Sequence, residues 1–125
     1  MADAHSTRIG ATLTVDDLTR LPHVVFEWEG RRVGAQQALA RLIPDLVVQC
    51  VVFEFLMIPS MVSGTPMIAL LQRRLAQRLA AQHGLRVMES PIPLPSLGVD
   101  LVWNPRTDGD PGRVWLRKQL MCTVH

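Results

Sequence analysis

The chain has 125 residues, of which 48% are hydrophobic and 19% are charged, which is typical of one folded domain and excludes a disordered chain. Its net charge of +2 gives no support to nucleic-acid binding through a basic surface. The longest apolar stretch, 47–67, is interrupted by a glutamine, a glutamate, two prolines and a glycine, which argues against a membrane span.

Two further observations bear on the compartment and on cofactors. The first ten residues lack the apolar core of a signal peptide. The two cysteines, Cys50 and Cys122, lie far apart and have the spacing of neither a zinc site nor a disulfide framework. We therefore expect a cytoplasmic protein that holds no metal and no cofactor.

Strands and helices alternate through the first half of the chain. Thr14 begins a short helix, with Asp17 at the capping-box position, and Pro22 ends it. "HVVFEW" follows as a predicted strand, and "AQQALARLI" as a predicted amphipathic helix. "LVVQCVVF" is predicted to be a strand covered on both faces, because its β-branched run is continuous.

The same alternation continues to residue 98. We predict a helix over Phe55–Val62 that ends at Gly64, a strand at "MIALL", and a helix over Gln72–His83 that Gly84 terminates. "LRVME" is a further strand. The prolines of "SPIPLPSLG", residues 90–98, predict an extended crossing segment.

One strand and one helix remain after the crossing segment. We predict a strand at 99–103 and a final helix with Asp110 as its cap and Pro111 at its first position. Its inward side would consist of Val114, Trp115 and Leu120. One strand cannot form a sheet, so this helix needs partners that the chain does not visibly contain. Overall, the alternation predicts an α/β fold with a mainly parallel sheet.

The stretch Ile92–Leu120 resembles the carboxyl end of LysR-type transcriptional regulators, in their nodulation and aromatic-degradation branch. Members typically read W-H-P-R, then D-P, then W-L-R. The matching residues here are Trp103, Pro105, Arg106, Asp110, Pro111, Trp115, Leu116 and Arg117, with Asn104 in place of the histidine. Similar segments upstream extend the resemblance from about Leu13 to Leu120. The departures are at polar positions: Ala35, Pro66 and Gln72.

The resemblance implies a periplasmic-binding-protein type II-like effector domain of two α/β lobes. Residues 12–92 would form the inserted lobe, which is nearly complete. Residues 93–122 would be the returning carboxyl-terminal part of the other lobe, and 1–11 a flexible N-terminus. The winged helix-turn-helix and the first part of the effector domain would be absent, so no direct DNA contact is expected from this chain.

Candidate site residues follow from the ends of the predicted strands. Ligands of open α/β sheets bind beyond the carboxyl ends of strands, where helix N-termini favour a carboxylate. Phe55 and Thr65 are the best candidates for contact with an effector, and the family also contributes cleft residues from these places. Glu54, Trp28 and Asn104 are further candidates. Each main candidate has a plain alternative: Phe55 as a core residue, Thr65 as a turn residue and Trp28 as a loop residue covering its neighbours.

Three functions stay open on the sequence alone. The first is a ligand-sensing regulatory domain that binds a small aromatic or carboxylated effector between two lobes, within a homo-oligomer. The second is a truncated regulator that binds no effector and acts only by dimerising with an intact homologue. The third is a small α/β enzyme, for which His23 and Cys50 are a weak base–nucleophile pair. We predict that the protein is not an enzyme and has no catalytic residues.

Overall fold

A mixed sheet lies at the centre of the computed structural model, which describes residues 1–124. Within that range it has five strands, in the order β3-β2-β4-β1-β5. β2 pairs in parallel with β3 and β4, whereas β1 pairs antiparallel with β4 and β5. The strand bounds are β1 Ala2–Asp3, β2 His23–Phe26, β3 Val48–Val52, β4 Ile68–Ala69 and β5 Leu85–Arg86.

Helices connect the strands, as the alternation predicted. Their bounds are α1 Val15–Arg20, α2 Gly34–Leu42, α3 Ile58–Val62, α4 Arg73–His83 and α5 Pro111–Thr123. Short 3-10 turns at Phe55–Met57 and Pro105–Thr107 precede α3 and α5. Among the described residues, no helix is both long enough and apolar enough to cross a bilayer.

The predicted capping box of α1 is confirmed. The Asp17 amide donates to Thr14 Oγ1 at 3.1 Å, and the Thr14 amide donates to Asp17 Oδ2 at 3.0 Å. The bond from the Thr14 amide is the main reason why the pKa of Asp17 lies below its usual value. Gly84 ends α4 as predicted, with a φ of 63° that side chains rarely adopt.

Two apolar clusters cover the two faces of the sheet, because successive residues of a strand point to opposite sides. One cluster packs α3 and α4 against the sheet, and the other packs α1 and α2 against it. The first consists of Met1, Val24, Phe26, Val52, Ile58, Val62, Ala69, Ala76 and Leu85. The second consists of Ala2, Ile9, Leu18, Leu21, Leu39, Ile43 and Ile68.

The prediction that "LVVQCVVF" is covered on both faces is wrong. β3 lies at the edge of the sheet: Gln49 and Val51 are exposed, whereas the residues on the other face are partly buried or, at Val52, buried. Cys50 packs against the first cluster. The β-branched run reflects strand propensity at this edge, because only one face of β3 has a helix layer packed on it.

Two expectations about the ends of the chain also fail. The first residues do not lie apart from the fold: Ala2–Asp3 is inserted between β4 and β5, and Met1 is buried. The Met1 amino group donates to the Ala69 carbonyl at 3.0 Å. Residues 99–103 form no strand and pair with neither edge strand of the sheet, β3 or β5.

The predicted final helix is confirmed with its cap. Asp110 Oδ1 accepts from the Gly112 and Arg113 amides at 3.0 and 3.4 Å, and Pro111 is the first helical residue. No residue of α5 is buried, and Trp115 is 62% exposed. The helix therefore forms by local capping but finds no core within the described part of the chain.

Candidate functional site

A cleft of about 770 Å³ opens beyond the carboxyl ends of β2, β4 and β5. The starts of α2 and α4 form two of its walls, and the crossing segment, residues 90–98, forms a third. Phe26, Phe55 and Leu70–Gln72 lie along its inner side. This is the place where open α/β sheets bind ligands, because helices begin there and strands end.

Two helices begin at this cleft without a side-chain cap. The N-cap residues are Val33 for α2 and Gln72 for α4, and neither side chain accepts a bond from the helix. Neither helix has an acidic residue in its first turn. The first amides of a helix lack intrahelical partners and carry a partial positive charge. The walls of the cleft therefore favour an anionic group such as a carboxylate.

Two aromatic rings form the apolar floor of the cleft. The Phe26 and Phe55 ring centroids are 3.9 Å apart, with planes at 20°, so the rings are stacked. Phe26 is buried in the first cluster, whereas Phe55 is 37% exposed. The exposed part of Phe55 offers a flat apolar surface on which an aromatic ligand could stack.

Charged side chains lie at the mouth of the cleft. Arg73 Nη2 is 2.6 Å from Glu89 Oε2, in an exposed pair that contributes little to stability. Arg74, on the same turn of α4, also lines the cleft and makes no ion pair within residues 1–124. The mouth therefore carries one cation that is available to an anion.

A buried amide is the least expected feature of the cleft. Gln36, in the first turn of α2, is 6% exposed and lines the cleft. Its Oε1 atom has no hydrogen-bond partner among the described residues. The sequence does not indicate Gln36 as a site residue, because a glutamine in an amphipathic helix gives no sign that its amide oxygen is without a partner.

Of the five predicted site residues, Phe55 lines the cleft and the other four lie outside its lining. The Thr65 hydroxyl donates to the Val62 carbonyl at 2.8 Å and accepts from the Met67 amide at 3.2 Å, which are the bonds of a turn residue. Glu54 is the N-cap residue of the turn before α3, and its side chain makes no capping bond.

Trp28 and Asn104 lie in two other loops. Trp28 is 59% exposed and forms a backbone bridge with Arg31. Asn104 caps the 3-10 turn before α5, its Oδ1 accepting from the Arg106 amide at 2.9 Å. Their contact with an effector stays a prediction. Beside Trp28, Arg32 Nε lies 3.9 Å from Glu27 Oε1.

His23 and Cys50 cannot act together as a base and a nucleophile. His23 is buried beside the second cluster, and its Nε2 lies 2.8 Å from the Leu18 carbonyl. Cys50 packs against the first cluster, on the other face of the sheet. Burial lowers the pKa of His23. Within residues 1–124, no group of three or more His, Cys, Asp or Glu side chains is placed to hold a metal ion.

Residues that carry the resemblance form their own cluster near α5. The Trp103 indole donates to Asp108 Oδ1 at 2.6 Å, and the Arg117 guanidinium lies 4.7 Å from the Trp103 ring centroid. Arg117 also lies 3.9 Å from Asp108. These contacts hold the loop against α5, away from the cleft.

Known proteins are similar to this chain in sequence and in fold. The family model described as "LysR substrate binding domain" matches residues 1–122. Nodulation protein D 1 of Mesorhizobium japonicum is 42% identical over 74 residues, which are 59% of this chain and 24% of that protein. Nodulation protein D 3 of the same species is 32% identical over 111 residues, 87% of this chain and 37% of that protein.

A solved structure of a LysR-type regulatory domain has a similar fold. The regulatory domain of MexT, a transcriptional activator in Pseudomonas aeruginosa, superposes with a TM-score of 0.77 at 27% identity, over 94% of this chain and 59% of that one. The matched parts of the two nodulation proteins are well under half of their length, so this chain corresponds to only part of each of them. Its fold is that of a LysR regulatory domain, which is periplasmic-binding-protein type II-like, as the resemblance implied. The chain belongs to the LysR substrate-binding domain family.

Proposed function

We propose that this chain is the effector-sensing part of a LysR-type regulator and that it binds a small aromatic carboxylate in the cleft. The observation that carries the proposal is the meeting of two uncapped helix starts at one cleft, with no acidic residue in either first turn. The stacked pair of Phe26 and Phe55 favours an aromatic ring beside the carboxylate.

We further propose that effector binding changes the arrangement of two lobes. In this proposal residues 12–92 form one lobe, residues 93–122 belong to the other, and the crossing segment between them lines the cleft. An effector that touches both the helix starts and the crossing segment would favour a closed arrangement. Only contacts that differ between open and closed states can shift the equilibrium between them. A regulator of this kind acts in the cytoplasm and is not an enzyme.

Isothermal titration of the chain with benzoate and its hydroxylated derivatives tests the proposal. Phe55→Ala removes the exposed ring and is expected to weaken binding roughly twofold to tenfold, from an aromatic contact of about 0.5–1.5 kcal/mol. Phe53→Ala is the matched control, since Phe53 is 62% exposed and lies outside the cleft lining. Equal weakening by both variants, or no binding of any acid, would contradict the proposal.

A second candidate function is association with another regulatory domain of this family, an intact regulator or a second copy. It is favoured by the large number of apolar side chains left exposed after the crossing segment. These are Val99, Leu101, Val102, Trp103, Trp115, Leu116, Leu120, Met121 and Val124. An apolar surface of this extent is typical of an interaction site. The two functions are compatible, because α5 and the cleft involve different residues.

A further inference from the structure

The side chain of Gln36 differs from the other polar side chains buried in the described part of the chain. Those others are Asp17 and His23, and both have partners: Asp17 with Thr14 and Arg20, and His23 with the Leu18 carbonyl. Gln36 Oε1 has none. Buried polar atoms without a partner are rare in folded proteins and destabilise them.

One other buried atom without a partner, Arg86 Nε, has a simpler explanation. The same guanidinium donates to the Gly10 and Ile9 carbonyls at 3.1 and 2.9 Å, so the group as a whole is held. Arg86 also lies outside the cleft lining. For Gln36, no bond from another atom of the side chain holds the amide in this way, and Gln36 lines the cleft together with Phe26 and Phe55.

The surroundings of Gln36 restrict what can pair with it. Its Oε1 is an acceptor and needs a donor. A cationic donor is disfavoured, because both helix starts carry partial positive charge and Arg74 lies at the mouth. A neutral O–H or N–H group remains. A hydroxyl on an aromatic ring meets this requirement while the ring stays on the apolar floor.

We propose that Gln36 is a specificity-determining residue of the cleft, and that its amide oxygen accepts a hydrogen bond from a hydroxyl on the aromatic effector. This inference rests on the proposed function, since it assigns a role within the same cleft. Its physical basis is that a site with a buried polar group discriminates strongly against a ligand that leaves that group unpaired.

The test compares three classes of ligand on the whole chain by isothermal titration: benzoate, the three hydroxybenzoates and the three methoxybenzoates. A methoxy group can accept a hydrogen bond but cannot donate one. We expect at least one hydroxybenzoate to bind about tenfold or more tightly than both benzoate and its methoxy counterpart. This comparison needs only the wild-type protein, so it does not depend on whether a variant folds.

The variant Gln36→Met then tests whether the amide causes the preference for hydroxybenzoates. Methionine suits this test because it is also unbranched and has a similar length. We expect the ratio of hydroxybenzoate to benzoate affinity to fall to within about twofold of unity, because the variant has no amide oxygen to accept the hydroxyl hydrogen bond. The melting temperature of the ligand-free variant is expected to rise, because an unpartnered buried atom has been removed. Gln37→Met is the matched control: Gln37 is exposed on the same helix and should change neither property.

Each other outcome overturns the inference in an identifiable way. Binding without a preference for the hydroxyl leaves the proposed function standing and overturns the role of Gln36. A preference that survives in Gln36→Met also overturns it, as does a lower melting temperature, which would mean that the amide has a structural partner. If no acid binds the wild-type chain, the proposed function fails and this inference fails with it.

Discussion

The exposed tryptophan of α5 gives a prediction whose size follows from the structure. Trp115 is 62% exposed. A large aromatic side chain buries about 150–250 Å², so the exposed part amounts to roughly 90–150 Å². At about 25 cal/mol per Å², covering this area contributes roughly 2–4 kcal/mol. This is an upper bound, because association also costs rotational and side-chain freedom.

Trp115→Gln is therefore expected to weaken self-association of the chain at least tenfold, which corresponds to about 1.4 kcal/mol. Sedimentation velocity over a concentration series measures the dissociation constant directly. Lys118→Gln is the control, because Lys118 is exposed on the same helix and is not apolar. A wild-type chain that stays monomeric at all concentrations would refute the reasoning, as would a Trp115→Gln variant that associates unchanged.

Two further predictions concern stability. Thr14→Ala is expected to lower the free energy of unfolding by about 1 kcal/mol, through loss of the α1 cap, in urea denaturation. Thr12→Ala, at an exposed position before the helix, should have little effect, and equal losses would contradict a capping role. Burial lowers the pKa of the Met1 amino group to about 6 and also lowers that of His23. Both groups therefore bind protons more readily when unfolded, so the free energy of unfolding should fall as the pH decreases from about 8 to below 6.5. In the His23→Gln variant, the free energy of unfolding should depend less on pH in the lower part of this range. A free energy of unfolding that does not change with pH in the wild-type chain would contradict the prediction.

Local features of the fold could be predicted because their causes lie within a few residues. The Thr14 cap, the Gly84 terminus and the Asp110 cap each depend on side chains and amides at most three or four positions apart. The family resemblance could also be seen in the sequence, because it rests on the order of many short segments over most of the chain, and the family model confirmed it.

Features that depend on distant partners could not be predicted. The apolar run at β3 indicated a strand, but its edge position follows from the order of all the strands. The stretch 99–103 has strand propensity, but it pairs with no strand of the sheet and is exposed. Gln36 is a comparable case, because its place in an amphipathic helix does not tell whether its amide oxygen has a partner in the folded chain.

The two-residue strand β1 has a consequence for the order of folding. Ala2 pairs with Ile68 on one side and with Arg86 on the other, and the Met1–Ala69 bond joins residues 68 positions apart. Contacts of such long range are slow to form, because a large loop must close before they contribute. During synthesis, the sheet can therefore be completed only after the chain through Arg86 has left the ribosome. Until then, the edge of β1 to which β5 pairs remains open to pairing with other chains.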